Sequence, residues 1–188
     1  FGDGVSRRAW AVESEGVIRT RDDLDRFPWP SADDLSYDAL DEAARCLPPG
    51  MKVIAYSGYV YTTTWQLMGL ERFCTSLADD PDLVARLFDR VGTIQYQVFE
   101  RLIESDTIGA VWQPDDIAYT EGLMVAPAHL RRYVFPWYRR MGEVCRSRGL
   151  PHLFHSDGRL DEVMEDIVAC FDAVHPFANY HGAAVVSL

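Results

Sequence analysis

The sequence predicts an α/β fold with about four parallel strands, and three observations carry that expectation. Short apolar runs alternate with longer stretches of helical period, an order that sets successive strands side by side through helical crossovers. Two runs end abruptly in polar residues: IGAVWQPDD (108–116) closes on Asp115-Asp116, and PHLFHSDGR (151–159) on His155-Ser156-Asp157-Gly158. Strands that deliver acids and imidazoles to their C-terminal ends are how α/β folds build active sites. With 188 residues, the chain falls short of the roughly 250 of a closed eight-stranded barrel, so it is either a small open α/β sheet or a piece of a barrel.

The elements follow in order. Residues 1–30 carry no sustained period and end in Phe27-Pro28-Trp29-Pro30, which predicts an extended arm. Ser31 is an N-cap for a helix from Ala32 to Cys46, with Asp33 and Asp34 in its first turn and Pro48-Pro49-Gly50 as its stop. MKVIAY (51–56) reads as a buried strand ended by Ser57-Gly58. Apolar residues at near-helical spacing predict a helix from Thr62 to Ala78. Pro81, behind Asp79-Asp80, opens a second helix to Ile103. The strand Ile108 to Trp112 follows, then a helix from Ala126 to Arg148, in which Pro136 predicts a kink or break. Strand His152 to Phe154, helix Leu160 to Ala169 and strand Phe171 to Val174 complete the ladder. The tail from His175 to Leu188 has no helical pattern with which to cover the last strand, which favours a piece of a barrel. No repeat or linker divides the chain, so residues 1–188 read as one domain, with 178–188 as an atypical tail.

Composition excludes several function classes. A hydrophobic share of 48% with 25% charged residues is ordinary for a globular protein. The formal net charge of -11 argues against nucleic-acid and anionic-membrane partners. Without a membrane-length apolar run or the apolar core of a signal peptide, the sequence predicts a soluble, cytoplasmic protein. Cys46, Cys74, Cys145 and Cys170 form no CxxC pair and read as reduced, buried thiols.

Six segments then carry a resemblance: YTTTWQLMG (61–69), DDPDLV (79–84), VWQPDD (111–116), GLMVAP (122–127), FPWYRR (135–140) and HSDG (155–158). In this order and spacing they resemble the uroporphyrinogen decarboxylase family, which also contains the corrinoid and thiol methyltransferases, over roughly residues 17–177. The resemblance implies a partial (β/α)8 TIM barrel with its active site at the C-terminal mouth of the strands. The family begins earlier and runs past the position of Leu188, so the chain is expected to be incomplete at both ends. The decarboxylase branch carries an arginine-rich N-terminal motif and an aspartate that this sequence lacks. Its central tyrosine would fall near Trp65 or Gln66, so that catalytic set does not carry over. The methyltransferase branch has His-x-Cys-Gly where this chain has His155-Ser156-Asp157-Gly158, and there the His and Cys bind zinc. Here His155 matches and Asp157 replaces the Cys, which implies a metal set of His155 and Asp157 without the soft thiolate. After Asp172 the family reads a strand ending in Pro and an acid, whereas this chain reads His175-Pro176-Phe177-Ala178.

Candidate residues divide between chemistry and ordinary structure. His155 and Asp157 are read as metal ligands or acid/base groups, against the alternative that Asp157 caps the following helix. Asp115 and Asp116 are candidates for proton transfer or a shared cation, against a solvated loop pair. Tyr56, Tyr59 and Tyr61 flank the first strand's end, where phenols bind substrate or pack in the core. His175 closes the last strand and is a candidate second imidazole at the mouth. Arg131, Arg132, Arg139 and Arg140 read as a helix's outer face. His129, His152 and His181 offer nothing specific.

The leading expectation is a methyltransferase-like enzyme acting on a small molecule, with zinc, a corrinoid as methyl carrier and a corrinoid protein as partner, compatible with a homodimer. The alternatives are a cofactor-free uroporphyrinogen decarboxylase of porphyrin biosynthesis, or a non-catalytic barrel fragment.

Overall fold

Four of the apolar runs become parallel strands in one sheet. The computed structural model describes residues 15–175 and the strand Val186–Ser187. The strands in chain order are β1 (Val53–Tyr56), β2 (Ile108–Pro114), the short pair β3 (Ala118–Tyr119) and β4 (Gly122–Leu123), β5 (His152–His155), β6 (Ala173–His175) and β7 (Val186–Ser187). The main sheet has the order β1-β2-β5-β6-β7, with β3 and β4 forming a separate antiparallel hairpin. β1, β2, β5 and β6 pair in parallel and in chain order, without the reversal that marks a doubly wound sheet. The fold is therefore mixed α/β, a partial TIM barrel. β7 pairs antiparallel with β6. This corrects the expectation that the tail leaves the last strand uncovered: two extended residues suffice for a ladder and leave no period to read. Residues 176–185 and 188, which include most of the expected atypical tail (178–188), lie outside the described residues.

The helices in chain order are α1 (Arg21–Arg26), α2 (Asp38–Cys46), α3 (Tyr61–Met68), α4 (Leu70–Asp79), α5 (Pro81–Ile103), α6 (Pro127–Tyr133), α7 (Phe135–Ser147) and α8 (Met164–Cys170). Three expected helices are divided. Residues 32–46 split into a 3-10 turn (Ala32–Asp34), capped by Ser31 as expected, and α2. Residues 62–78 break at Gly69, whose φ of 83° is closed to most side chains. Residues 126–148 break before Pro136, which lies in the first turn of α7. The stretch 160–169 opens as a 3-10 turn (Asp161–Val163) before α8. The 15–30 part of the expected extended arm is corrected too. Thr20 and Asp23 cap α1 reciprocally, and Ile18 and Leu24 are buried in the core. Residues 1–14 lie outside the described residues.

The pleat sorts each strand's side chains onto two faces. Ala55, Val111, Phe154 and Val174 are buried in one apolar cluster with helix residues such as Leu87, Phe99, Tyr138 and Ile167. The alternate residues Tyr56, Trp112, Leu153, His155 and His175 occupy the opposite face, where a whole barrel has its interior. Two cysteines are corrected: Cys46 and Cys74 are exposed, while Cys145 and Cys170 are buried, and all four are free.

Candidate active site at the strand mouth

Two loops at the C-terminal ends of β2 and β5 are joined by hydrogen bonds from backbone amides to side chains. The Ile117 N–H donates to the Ser156 hydroxyl at 3.0 Å, and the Asp157 N–H donates to Asp116 Oδ1 at 2.9 Å. The Arg159 N–H donates to the Tyr119 carbonyl in the β3–β4 hairpin at 2.9 Å. Gly158 makes this approach possible. Its φ is 92°, and a Cβ there would stand 2.6 Å from the Ala118 carbonyl carbon and the Tyr119 oxygen.

These contacts gather Asp116, His155 and Asp157, each offering a ligating atom within 4.8 Å of the others. His155 Nε2 lies 3.9 Å from Asp116 Oδ1, with the imidazole half-buried and the carboxylate exposed. On its other side His155 Nδ1 is 3.1 Å from Nδ1 of His175, and the two rings stack at 5.3 Å. Both imidazoles lean on Trp112, at 5.8 Å and 5.7 Å between ring centroids. A cleft of about 250 Å³ opens beside them, lined by Tyr56, Tyr59, Trp112, Pro114, Asp115, Asp116 and His155. Tyr56 and Tyr59 meet edge to face at 5.4 Å, and burial followed by the Tyr59 hydroxyl pushes the Tyr56 phenol above its ordinary pKa.

The two adjacent aspartates have separate surroundings. Asp115 is wholly buried, and its carboxylate accepts the N–H groups of Val60 (2.7 Å), Tyr61 (2.6 Å) and Thr62 (2.8 Å) and the Tyr138 hydroxyl (2.6 Å). It caps the start of α3 from another segment, so those amides need no local cap. Burial pushes its pKa up, against the pull of the Tyr138 and Thr62 hydrogen bonds. Of the residues expected to be catalytic, Asp116, His155 and Asp157 thus share the mouth, while Asp115 holds the loop beneath it. Of those expected to bind substrate, Tyr56 and Tyr59 line the cleft and His175 lies against His155. Tyr61 is turned into the core against Phe73 at 5.7 Å, and its hydroxyl has no hydrogen-bond partner among the described residues.

Sequence reasoning missed Trp112, Ser156 and Tyr138. Trp112 was reachable, because strand alternation puts it on the same side as Pro114, just before the acids at the strand end. Tyr138 was not, because nothing in a helical period says that its hydroxyl reaches an acid 23 residues earlier.

Parallel strands in chain order, with acids and imidazoles gathered at their C-terminal ends, define this as a protein of the TIM-barrel class. Residues 12–176 match the family Uroporphyrinogen decarboxylase (URO-D), and the chain belongs to that family. A solved structure, a methyltransferase from Methanosarcina mazei, shares the fold with a TM-score of 0.59 at 14% identity. The likeness covers 71% of this chain and 38% of that one, so this chain spans well under half of that structure's length. No protein of curated function matches the chain.

Proposed function

We propose that the chain is a methyltransferase-like member of its family, in which Asp116, His155 and Asp157 hold one divalent cation beside a cleft for a small thiol. The observation that carries this reading is the convergence of those three groups from two strand ends within 4.8 Å. One imidazole and two carboxylate oxygens suit zinc and its harder first-row neighbours, and three protein ligands leave a position for substrate. A cation bound there would lower the pKa of a thiol in that open position, favouring the thiolate that accepts a methyl group. The chain's own contribution is to orient. The Asp157 amide holds Asp116, and Tyr56, Tyr59 and Trp112 form an aromatic wall for the carbon skeleton. A cleft of about 250 Å³ accommodates a small thiol, and a corrinoid carried by a partner protein is the methyl donor in this reading.

The decarboxylase reading is weaker, because the carboxylates of Asp116 and Asp157 at the mouth would repel a polycarboxylate substrate. The non-catalytic reading draws on the exposed sheet residues Ile54 and Trp112.

The test is metal content and a zinc competition titration on the wild-type chain and on His155→Ala and Asp116→Ala. Stoichiometric zinc in the wild type, lost in both variants, is the expected result. No bound metal in the wild type under zinc saturation ends this mechanism.

A further inference from the structure

His175 is placed to act through His155 rather than on substrate. The two Nδ1 atoms stand 3.1 Å apart, a hydrogen bond in which one ring donates and the other accepts. The direction of that bond decides what His155 presents at the mouth. With His175 as donor, the only lone pair of a neutral His155 is used at Nδ1, and its Nε2 carries a proton 3.9 Å from Asp116, beyond hydrogen-bond reach. With His155 as donor, its Nε2 keeps a lone pair on the nitrogen that lies 3.9 Å from Asp116 Oδ1.

We infer that His175 is a positioning residue: it accepts the Nδ1 proton of His155 and so supports the tautomer whose Nε2 lone pair can ligate a cation. The inference rests on the reading of Asp116, His155 and Asp157 as a cation site. Ligating histidines characteristically donate their second nitrogen to an outer acceptor, which sets both tautomer and ring orientation. Carboxylates and backbone carbonyls are usual in that position, and here the acceptor is an imidazole stacked on the ligand and braced by Trp112. The Nδ1 proton of His155 is half-buried among aromatic rings, so removal of its acceptor would leave a donor with poor access to water.

The test compares zinc affinity and imidazole nitrogen–proton correlation spectra of the wild type, His175→Phe and His175→Asn. Phe keeps a ring against Trp112 and removes the acceptor, whereas Asn offers a carbonyl oxygen in its place. The expected result is a 10- to 100-fold loss of zinc affinity in His175→Phe, largely restored in His175→Asn, with the backbone amide spectrum unchanged in both. In the zinc-loaded wild type, His155 should show a protonated Nδ1 and a metal-bound Nε2. Equal affinity in wild type and His175→Phe, an equal loss in both variants, or ligation through Nδ1 would each overturn the assignment. If the wild type takes up no zinc, the cation site falls and the ligand-positioning role falls with it. The wild-type spectrum separates the two failures: a proton on Nδ1 of His155 leaves the hydrogen-bond direction standing, and a proton on Nδ1 of His175 refutes that as well.

Discussion

At the residue scale, Asp115 shows how a buried acid becomes structural. Every one of its polar neighbours donates to it, including three backbone amides at the start of α3 and the Tyr138 hydroxyl. An amide side chain accepts through one oxygen only, so Asp115→Asn would set its NH2 group against at least one of those donors. The expected loss is on the order of 3 kcal/mol in urea unfolding, because buried donors are left unpaired. A variant with wild-type stability would refute the capping role. His152, to which the sequence assigned nothing, is buried between Phe99 and Phe171. Burial lowers its pKa from the ordinary 6.5 to about 4. As pH falls through that interval the unfolded chain takes up a proton that the native state refuses. Its contribution is therefore full above pH 6.5 and declines toward pH 4, by on the order of 3 kcal/mol. Urea unfolding of His152→Phe at pH 7.5, 5.5 and 4.5 should show a shallower acid decline than the wild type. Parallel profiles would show that His152 is not the source.

At the element scale, the site depends on two loops held in register rather than on any one strand. Gly158 combines a left-handed φ with a gap too narrow for a methyl group. Gly158→Ala should cost roughly 2 kcal/mol or more and part the Asp157–Asp116 contact, which on the proposed cation site would lower zinc affinity along with stability. An alanine variant with both properties unchanged would show that the loops tolerate separation. The HSDG run was legible as a strand end because an apolar stretch stops there in polar residues. The β3–β4 hairpin that it touches was not, since two-residue strands leave no period. Gly69 and Pro136 explain why two long apolar periods became four helices: periodicity reports which face is buried, while a local dihedral constraint decides whether the axis runs on.

At the scale of the whole molecule, the sheet has one covered face and one open face. Ile54 and Trp112, exposed by 54% and 37%, lie on the side that fills the interior of a closed barrel. β1 is moreover an edge of the sheet. An apolar face beside a free edge favours association. The chain is accordingly expected to bind a hydrophobic dye and to elute larger than a monomer. Ile54→Lys should reduce both, since a lysine on an edge strand opposes edge pairing. Unchanged elution and dye binding in that variant would place the association surface elsewhere.

By itself the sequence determined the alternation of strands and helices, the strand ends that carry Asp116 and His155, and, through six spaced motifs, the family. These are local or linear properties, set by hydrophobic period, capping chemistry and residue spacing. Only the tertiary structure decided which members of that set lie together. It separated Asp115 from Asp116, because adjacent residues beyond a strand end point to opposite surroundings. It turned Tyr61 into the core and paired His175 with His155 through a register between β5 and β6 that neither strand specifies alone. Non-local hydrogen bonds and the sharing of one sheet face depend on how distant segments pack, and no single segment encodes that arrangement.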